Sequence, residues 1–142
     1  MSPLEKRAWL MLWTMCPIYL VYFAVQLAAP AWLTGILPRI ACLAAASGGH
    51  GIVYLVCLLL LMARERGQGL HADERDRAIE AGATRIAYYV LMTGAVVVGM
   101  VMPFTKTGWS LVNAALLFIV LAEVLRNLLI VRRYRGRPAL AH

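Results

Sequence analysis

Charged residues are scarce in this chain, and polar segments long enough to form a domain are absent. Only 15% of the 142 residues are charged, while 62% are hydrophobic. The longest stretch outside the apolar runs, residues 64–85, is too short to bury a core of its own. These scarcities exclude a soluble domain of any size.

Cysteines and chemical motifs are also few. The three cysteines lie inside apolar runs and form no CxxC motif, so we interpret them as small hydrophobic residues. The sequence has no credible nucleophile–base pair, metal-binding motif or phosphate-binding loop. Haem ligation by two histidines is disfavoured, because His71 and His142 lie outside the apolar runs and only His50 lies within one. We therefore expect no enzymatic activity, no metal and no cofactor.

Four long apolar runs make up most of the chain. They cover residues 8–29, 40–63, 86–104 and 109–131, close to the roughly 20 residues that a helix needs to cross a bilayer. The first run exceeds the apolar region of about 7 to 15 residues in a signal peptide, so we expect it to be retained. The pattern predicts an all-α integral membrane four-helix bundle that forms a single domain.

Basic residues are distributed unevenly between the predicted loops. One side holds Lys6, Arg7, Arg64, Arg66, Arg75, Arg77, Arg85, Arg132, Arg133, Arg135 and Arg137, whereas the other holds Arg39 and Lys106. By the positive-inside rule, both termini and the central loop are cytoplasmic. We interpret the net charge of +7 as a topology signal and an attraction to a bilayer with anionic headgroups. Nucleic-acid binding is not expected, because no aromatic pattern accompanies these arginines.

The segment before the third run has the most specific charge pattern. Asp73 can cap a helix N-terminus, and Asp76 in the first turn complements the helix dipole. Arg77 can pair along the helix with Asp73 or Glu74. These features predict a short cytoplasmic amphipathic helix that leads into the third span.

One face of this predicted helix is apolar. Ile79, Ala83 and Ile86 recur at helical spacing, and Gly82 is a possible joint before the span. The helix either anchors the third span at the membrane interface or forms a docking surface for a cytoplasmic protein. Its candidate interaction residues are Asp73, Glu74, Arg75, Asp76, Arg77, Ile79 and Arg85. A metal site built from His71, Asp73, Asp76 and Glu80 is not predicted, because these residues lack a stringent ligand spacing.

At this segment the chain resembles a family of small, uncharacterised bacterial four-helix membrane proteins with an Asp-Glu-Arg-Asp-x-x-Ile motif before the third span. The residues that carry the resemblance are Asp73, Glu74, Arg75, Asp76, Ile79, Arg85, Ala87 and Tyr88. Such proteins are often encoded beside small helix-turn-helix regulators. The resemblance implies the bacterial inner membrane and a membrane-partner or immunity-like role, and it brings no catalytic residue.

Polar residues inside the fourth run are a second candidate site. A charged side chain near the centre of a spanning helix costs about 2.5 to 3.5 kcal/mol on the insertion scale, so Glu123 is a candidate for function. Arg126 lies three residues on and is close enough to neutralise it. Asn113 and Asn127 extend the same arc, which predicts that this face points into protein.

The second run contains a smaller polar group. His50 and Tyr54 share a helix face with Ser47, and the small residues of the stretch 41–51 predict a helix-packing surface. His50 either hydrogen-bonds across a helix pair or joins Glu123 in a proton path, because histidine changes charge near neutral pH.

Two functions remain open at this point. The first is a non-catalytic membrane interaction protein that acts through the segment 73–85, with homo-oligomer formation possible. The second is a small proton-coupled transporter that works as a homo-oligomer through Glu123 and His50. An intramembrane enzyme is disfavoured by the missing motifs.

Overall fold

The chain folds into four long helices and no strand in the part that the structure describes. The computed structural model describes residues 2–28, 30–64, 74–106 and 108–136. Its α-helices are α1 (Pro3–Ala28), α2 (Ile36–Arg64), α3 (Glu74–Val96) and α4 (Trp109–Arg135). All four are long and apolar enough to cross a membrane, α3 together with its continuation to Phe104. The predicted all-α class and the predicted spanning helices are confirmed.

Helix α1 begins before its apolar run, because a capping motif starts it. The backbone N–H of Glu5 donates to the Ser2 hydroxyl at 3.2 Å, and Pro3 occupies the first helical position. A serine followed three residues later by glutamate is the sequence pattern of a capping box, and proline is well tolerated at the first position. Pro17 lies inside the helix without ending it.

Helix α3 is continuous with the predicted lead-in helix. It begins at Glu74 and runs through Gly82 to Val96, so the predicted joint at Gly82 is wrong. A π-helical segment follows at Val97–Val101 and a 3-10 segment at Met102–Phe104. The change of helix type coincides with Pro103, which has no backbone N–H and cannot continue the hydrogen-bond ladder.

The chain divides into two compact units. One combines Met1–Ala8 with His71–His142, and the other is Trp9–Leu70. In the first unit, α3 and α4 pack against each other as an antiparallel hairpin. The buried positions of α4 are Val120, Ala122, Asn127, Ile130 and Val131.

The buried face of α3 differs from the predicted apolar face by one position. Ile79 and Ala83 are buried as predicted, but Ala87 continues the stripe and Ile86 is exposed. A step of four residues keeps side chains on one face of a helix, so the stripe that starts at Asp76 and Ile79 passes through Ala87. The small side chains on this stripe allow α4 to approach closely.

The predicted packing surface on α2 is used only in part within the described residues. Cys42, Ala45 and Ala46 line a cavity together with α1 residues, and His50 lies against Tyr19. Cβ atoms built on Gly48, Gly49 and Gly51 would meet no heavy atom within 4 Å. None of the described residues of α2 is fully buried. All described residues of α2 are exposed or half-buried. An apolar helix of this kind fits a hydrocarbon surrounding, where apolar side chains need no protein cover.

Candidate functional site

Arg126 is at the centre of a polar cluster between α3 and α4. Its Nη2 atom lies 2.6 Å from Oε1 of Glu80, and its Nε atom donates to the Thr84 hydroxyl at 3.1 Å. Its Nη1 atom lies 3.7 Å from Oε2 of Glu123. The guanidinium therefore links two carboxylates and a hydroxyl from two helices, an arrangement that suits its planar set of donors.

The main partner of Arg126 is a residue that the sequence reasoning missed. We predicted a pair with Glu123, and this pair is present, but it is the longer of the two ion pairs. A charge-assisted hydrogen bond near 2.6 Å is stronger than an ion contact at 3.7 Å. Glu80 entered the sequence analysis only as a metal-ligand candidate. Glu80 lies about seven helical turns before the α3–α4 loop. On an antiparallel hairpin a residue at this position can lie beside α4, and this is the signal that could have pointed to Arg126.

Glu123 lies on the inward side of α4. Glu123 comes three residues after Val120, four before Asn127 and seven before Ile130, and all three are buried. Residues at these spacings share one face of a helix. The Glu123 side chain is 39% exposed. The Asn127 amide donates to the Glu123 backbone carbonyl at 2.8 Å, so that amide is engaged with its own helix and not with the carboxylate. Asn113 is half-buried near the other end of α4.

Part of the charged motif Glu74-Arg75-Asp76 at the start of α3 faces α4. Asp76 is only 8% exposed, and it accepts a hydrogen bond from the Tyr134 hydroxyl. The guanidinium of Arg75 lies 6.0 Å from the centre of the Tyr134 ring, within the range of a cation–π contact. Asp76 therefore ties the first turn of α3 to the last turn of α4. Asp73 and His71 lie outside the described residues.

The hydrogen bond between Tyr134 and Asp76 predicts a measurable contribution to stability. We expect Tyr134→Phe to lower the free energy of unfolding by about 1 to 2 kcal/mol, because a buried carboxylate loses a donor. The matched control is Tyr88→Phe, which removes a hydroxyl from an exposed ring and should change stability by less than about 0.5 kcal/mol. Unfolding in detergent micelles with a rising fraction of dodecyl sulfate measures both. Equal losses of unfolding free energy in the two variants would contradict a stabilising hydrogen bond between Tyr134 and Asp76.

The outer flank of α3 remains accessible. Arg77, Ala81, Thr84, Arg85 and Tyr88 are exposed and line a shallow depression of about 750 Å³. We call these five residues the α3 flank. Glu80 and Arg126 form the floor of the same depression, so their ion pair fixes its shape.

Of the two ion pairs that the sequence allows along the start of α3, the pair of Asp73 and Arg77 lies outside the described residues, and the pair of Glu74 and Arg77 is not formed. Glu74 and Arg77 are both exposed, and the structure records no ion pair between these two described residues. An exposed pair of this kind contributes only about 0.3 to 0.5 kcal/mol.

The polar group on α2 lies in the second compact unit, which we describe by itself. The rings of Tyr19 and His50 meet edge to face with centres 5.6 Å apart, and the rings of His50 and Tyr54 are 6.2 Å apart. The Nε2 atom of His50 is buried and has no hydrogen-bond partner among the described residues. The predicted hydrogen bond of His50 across a helix pair is thus replaced by ring packing against Tyr19 of α1.

Comparison of the chain with protein-family models, with curated proteins and with solved structures yields no match.

Proposed function

We propose that this chain is a small, non-catalytic, multi-pass protein of the bacterial inner membrane that binds a cytoplasmic protein partner through the α3 flank. The observation that carries the proposal is the arrangement of two exposed arginines beside an exposed tyrosine on a fixed helical surface. Arg77 and Arg85 lie two turns apart, and Tyr88 continues the same flank. Arginine and tyrosine are enriched at protein interfaces because each combines a large contact area with directional donors.

The rigidity of the flank supports a binding role. The floor of its depression is the Glu80–Arg126 ion pair, and the helix beneath it is joined to α4 through Asp76 and Tyr134. A surface that is already ordered loses little conformational entropy on binding. The positive charge of the flank favours an acidic partner surface, because opposite potentials steer association. The family resemblance adds a partner class, a small helix-turn-helix regulator or the target of an immunity-like protein.

Site-specific photocrosslinking in native membranes tests this proposal. A photoreactive residue at Ala81, an exposed position of the flank, should give one cytoplasmic adduct that mass spectrometry identifies. Arg77→Glu combined with Arg85→Glu should reduce the adduct at least tenfold, because charge reversal on both guanidiniums repels an acidic partner. Membrane insertion and yield should stay unchanged.

The matched control is Arg132→Glu combined with Arg133→Glu, which makes the same charge change at the end of α4. It should leave the adduct within twofold of the wild-type level. An adduct that persists after reversal of Arg77 and Arg85 would refute the role of the flank. Equal losses in both double variants would point to general electrostatic attraction and would also refute it.

A proton-coupled transporter is the second candidate, and one observation favours it. Glu80 holds Arg126 at 2.6 Å, so Glu123 keeps only the longer contact of 3.7 Å with its counter-charge. An intramembrane carboxylate that is weakly paired is suited to bind and release a proton. A homo-oligomer reconstituted in proteoliposomes should then show a pH-driven flux that Glu123→Gln abolishes and that His50→Ala shifts in pH dependence. Absence of flux in the wild-type protein would remove this candidate.

A further inference from the structure

A groove lies between the first turns of α3 and the last turns of α4, separate from the α3 flank. It has a volume of about 670 Å³ and is lined by Arg75, Arg132 and Arg133 together with apolar side chains and Gly136. It shares no lining residue with the depression of the α3 flank. We call it the arginine groove.

The arginine groove has three guanidinium groups among its lining residues. No carboxylate lines it within the part of the chain that is described, and the structure records no ion pair there for Arg132 or Arg133. Two acids flank Arg75 in sequence: Asp76 is buried and accepts the hydrogen bond of Tyr134, and Glu74 is exposed, and neither lines the groove. The C-terminal end of α4 contributes a partial negative charge of about one half. The three guanidinium charges outweigh it, so the described lining of the groove is positive.

The walls of the groove are apolar next to the arginines. Ala78 and Ile79 of α3 and Leu129 of α4 complete its lining. A site that places guanidinium groups beside aliphatic side chains matches a ligand with a phosphate joined to a hydrocarbon portion. A free phosphate would gain nothing from these aliphatic walls.

We propose that the arginine groove is a binding site for the headgroup of an anionic phospholipid, with Arg75, Arg132 and Arg133 on the phosphate and Ile79 and Leu129 against the glycerol and upper acyl chain. The inference rests on the proposed membrane orientation, which places the charged ends of α3 and α4 at the cytoplasmic headgroup level. Bidentate donors make arginine well suited to phosphate. Basic pockets between spanning helices on this side are a known means of binding anionic headgroups.

Gly82 has a role in this site. A Cβ atom added at Gly82 would overlap Nη1 of Arg133 and lie 3.0 Å from its Cζ. The absence of a side chain at Gly82 therefore lets the Arg133 guanidinium lie across α3. Gly82→Ala should displace that guanidinium without removing charge, and alanine is the better helix former.

Native mass spectrometry of the purified full chain in mild detergent tests the proposal with defined lipids. Dioleoyl phosphatidylglycerol should bind at least tenfold more tightly than dioleoyl phosphatidylcholine, which has the same acyl chains and no net charge. Replacing Arg75, Arg132 and Arg133 together with glutamine should reduce this preference to less than twofold. Gly82→Ala should reduce it threefold or more.

The matched control replaces Arg64, Arg77 and Arg85 with glutamine, which removes the same charge on the same predicted side but outside the groove. It should leave the lipid preference within twofold of the wild-type value. Equal losses in the two triple variants, or no preference in the wild-type chain, would overturn the proposal. If the triple variant of the groove does not fold, the lipid preference of Gly82→Ala serves as the test. An unchanged preference for phosphatidylglycerol in Gly82→Ala would overturn the proposal.

A competition arm separates a lipid site from a site for a soluble anion. Inorganic phosphate and glycerol 1-phosphate at millimolar concentration should not displace phosphatidylglycerol. Displacement by either compound would assign the groove to a soluble phosphate compound and refute the lipid. Because Arg77 and Arg85 belong to the control here, loss of lipid binding and loss of the protein partner are separately observable.

Discussion

Gly94→Leu is expected to lower the free energy of unfolding by about 2 to 3 kcal/mol, one of the two largest effects of a single substitution that we predict. Gly94 is buried where α3 meets α4, and a Cβ atom at this position would overlap Cβ and Cγ of Phe118 and lie 2.7 Å from its Cδ1. The overlap includes the Cβ atom, so rotation of the Phe118 ring cannot relieve it and the helices must separate. Better helix propensity offsets only up to about 1 kcal/mol.

A second substitution tests whether the loss of stability comes from the steric overlap with Phe118. Phe118→Gly removes both the ring and the Cβ atom that a leucine at position 94 would meet. The double variant should be more stable than the sum of the two single effects by about 1 kcal/mol or more. The control is Gly51→Leu on α2, where an added Cβ meets no heavy atom within 4 Å of the described chain. Unfolding in mixed micelles followed by tryptophan fluorescence measures all four proteins, and a strictly additive double variant would contradict the predicted close approach.

Arg126→Leu is the other large effect, with an expected loss of about 2 to 3 kcal/mol. The substitution leaves Glu80 and Glu123 without their shared counter-charge and Thr84 without its donor. Breaking a fully buried pair costs about 3 to 5 kcal/mol. The side chains here are 29% exposed for Arg126 and 44% for Glu80, so solvent reduces the expected loss.

The two acids should contribute unequally. Glu80→Gln is expected to cost about 1 to 2 kcal/mol because it removes a charge-assisted hydrogen bond, whereas Glu123→Gln should cost less than about 1 kcal/mol because its contact is long. Arg85→Leu removes an exposed arginine from α3, the helix that carries Glu80, and serves as the control for loss of charge. Unfolding in mixed micelles measures the loss of unfolding free energy in each variant. A larger loss for Glu123→Gln than for Glu80→Gln would show that the pair predicted from the sequence, Glu123 with Arg126, is the stronger one.

The spanning helices could be predicted from the sequence because the signal is local. Hydrophobic length is a property of consecutive residues, so four runs of spanning length predicted α1, α2, α3 and α4 without knowledge of how they pack. The ends were less predictable. Helix α1 extends back to Pro3 because of its capping motif, and α4 extends to Arg135 beyond its apolar run, since polar residues continue a helix outside the hydrocarbon region.

The candidate site was predictable only in part. The pair of Glu123 and Arg126 could be anticipated because residues three apart on a helix are neighbours. The docking role that we predicted for Asp76 needs revision, because this residue is buried against Tyr134 and the exposed flank is carried by Arg77 and Arg85. Helical periodicity gives the faces of α3 but not which of them meets α4.

The helical class, the spanning lengths and the uneven distribution of arginine could be inferred without coordinates, because each depends on the chemistry of neighbouring residues. The packing of α3 against α4 was needed to show that Arg126 binds Glu80, that Asp76 faces Tyr134 and that Gly94 lies against Phe118. These pairs are 46, 58 and 24 residues apart along the chain. Their formation depends on the rotation of α3 and α4 about their axes, and a rotation of one residue, about 100°, would replace every partner.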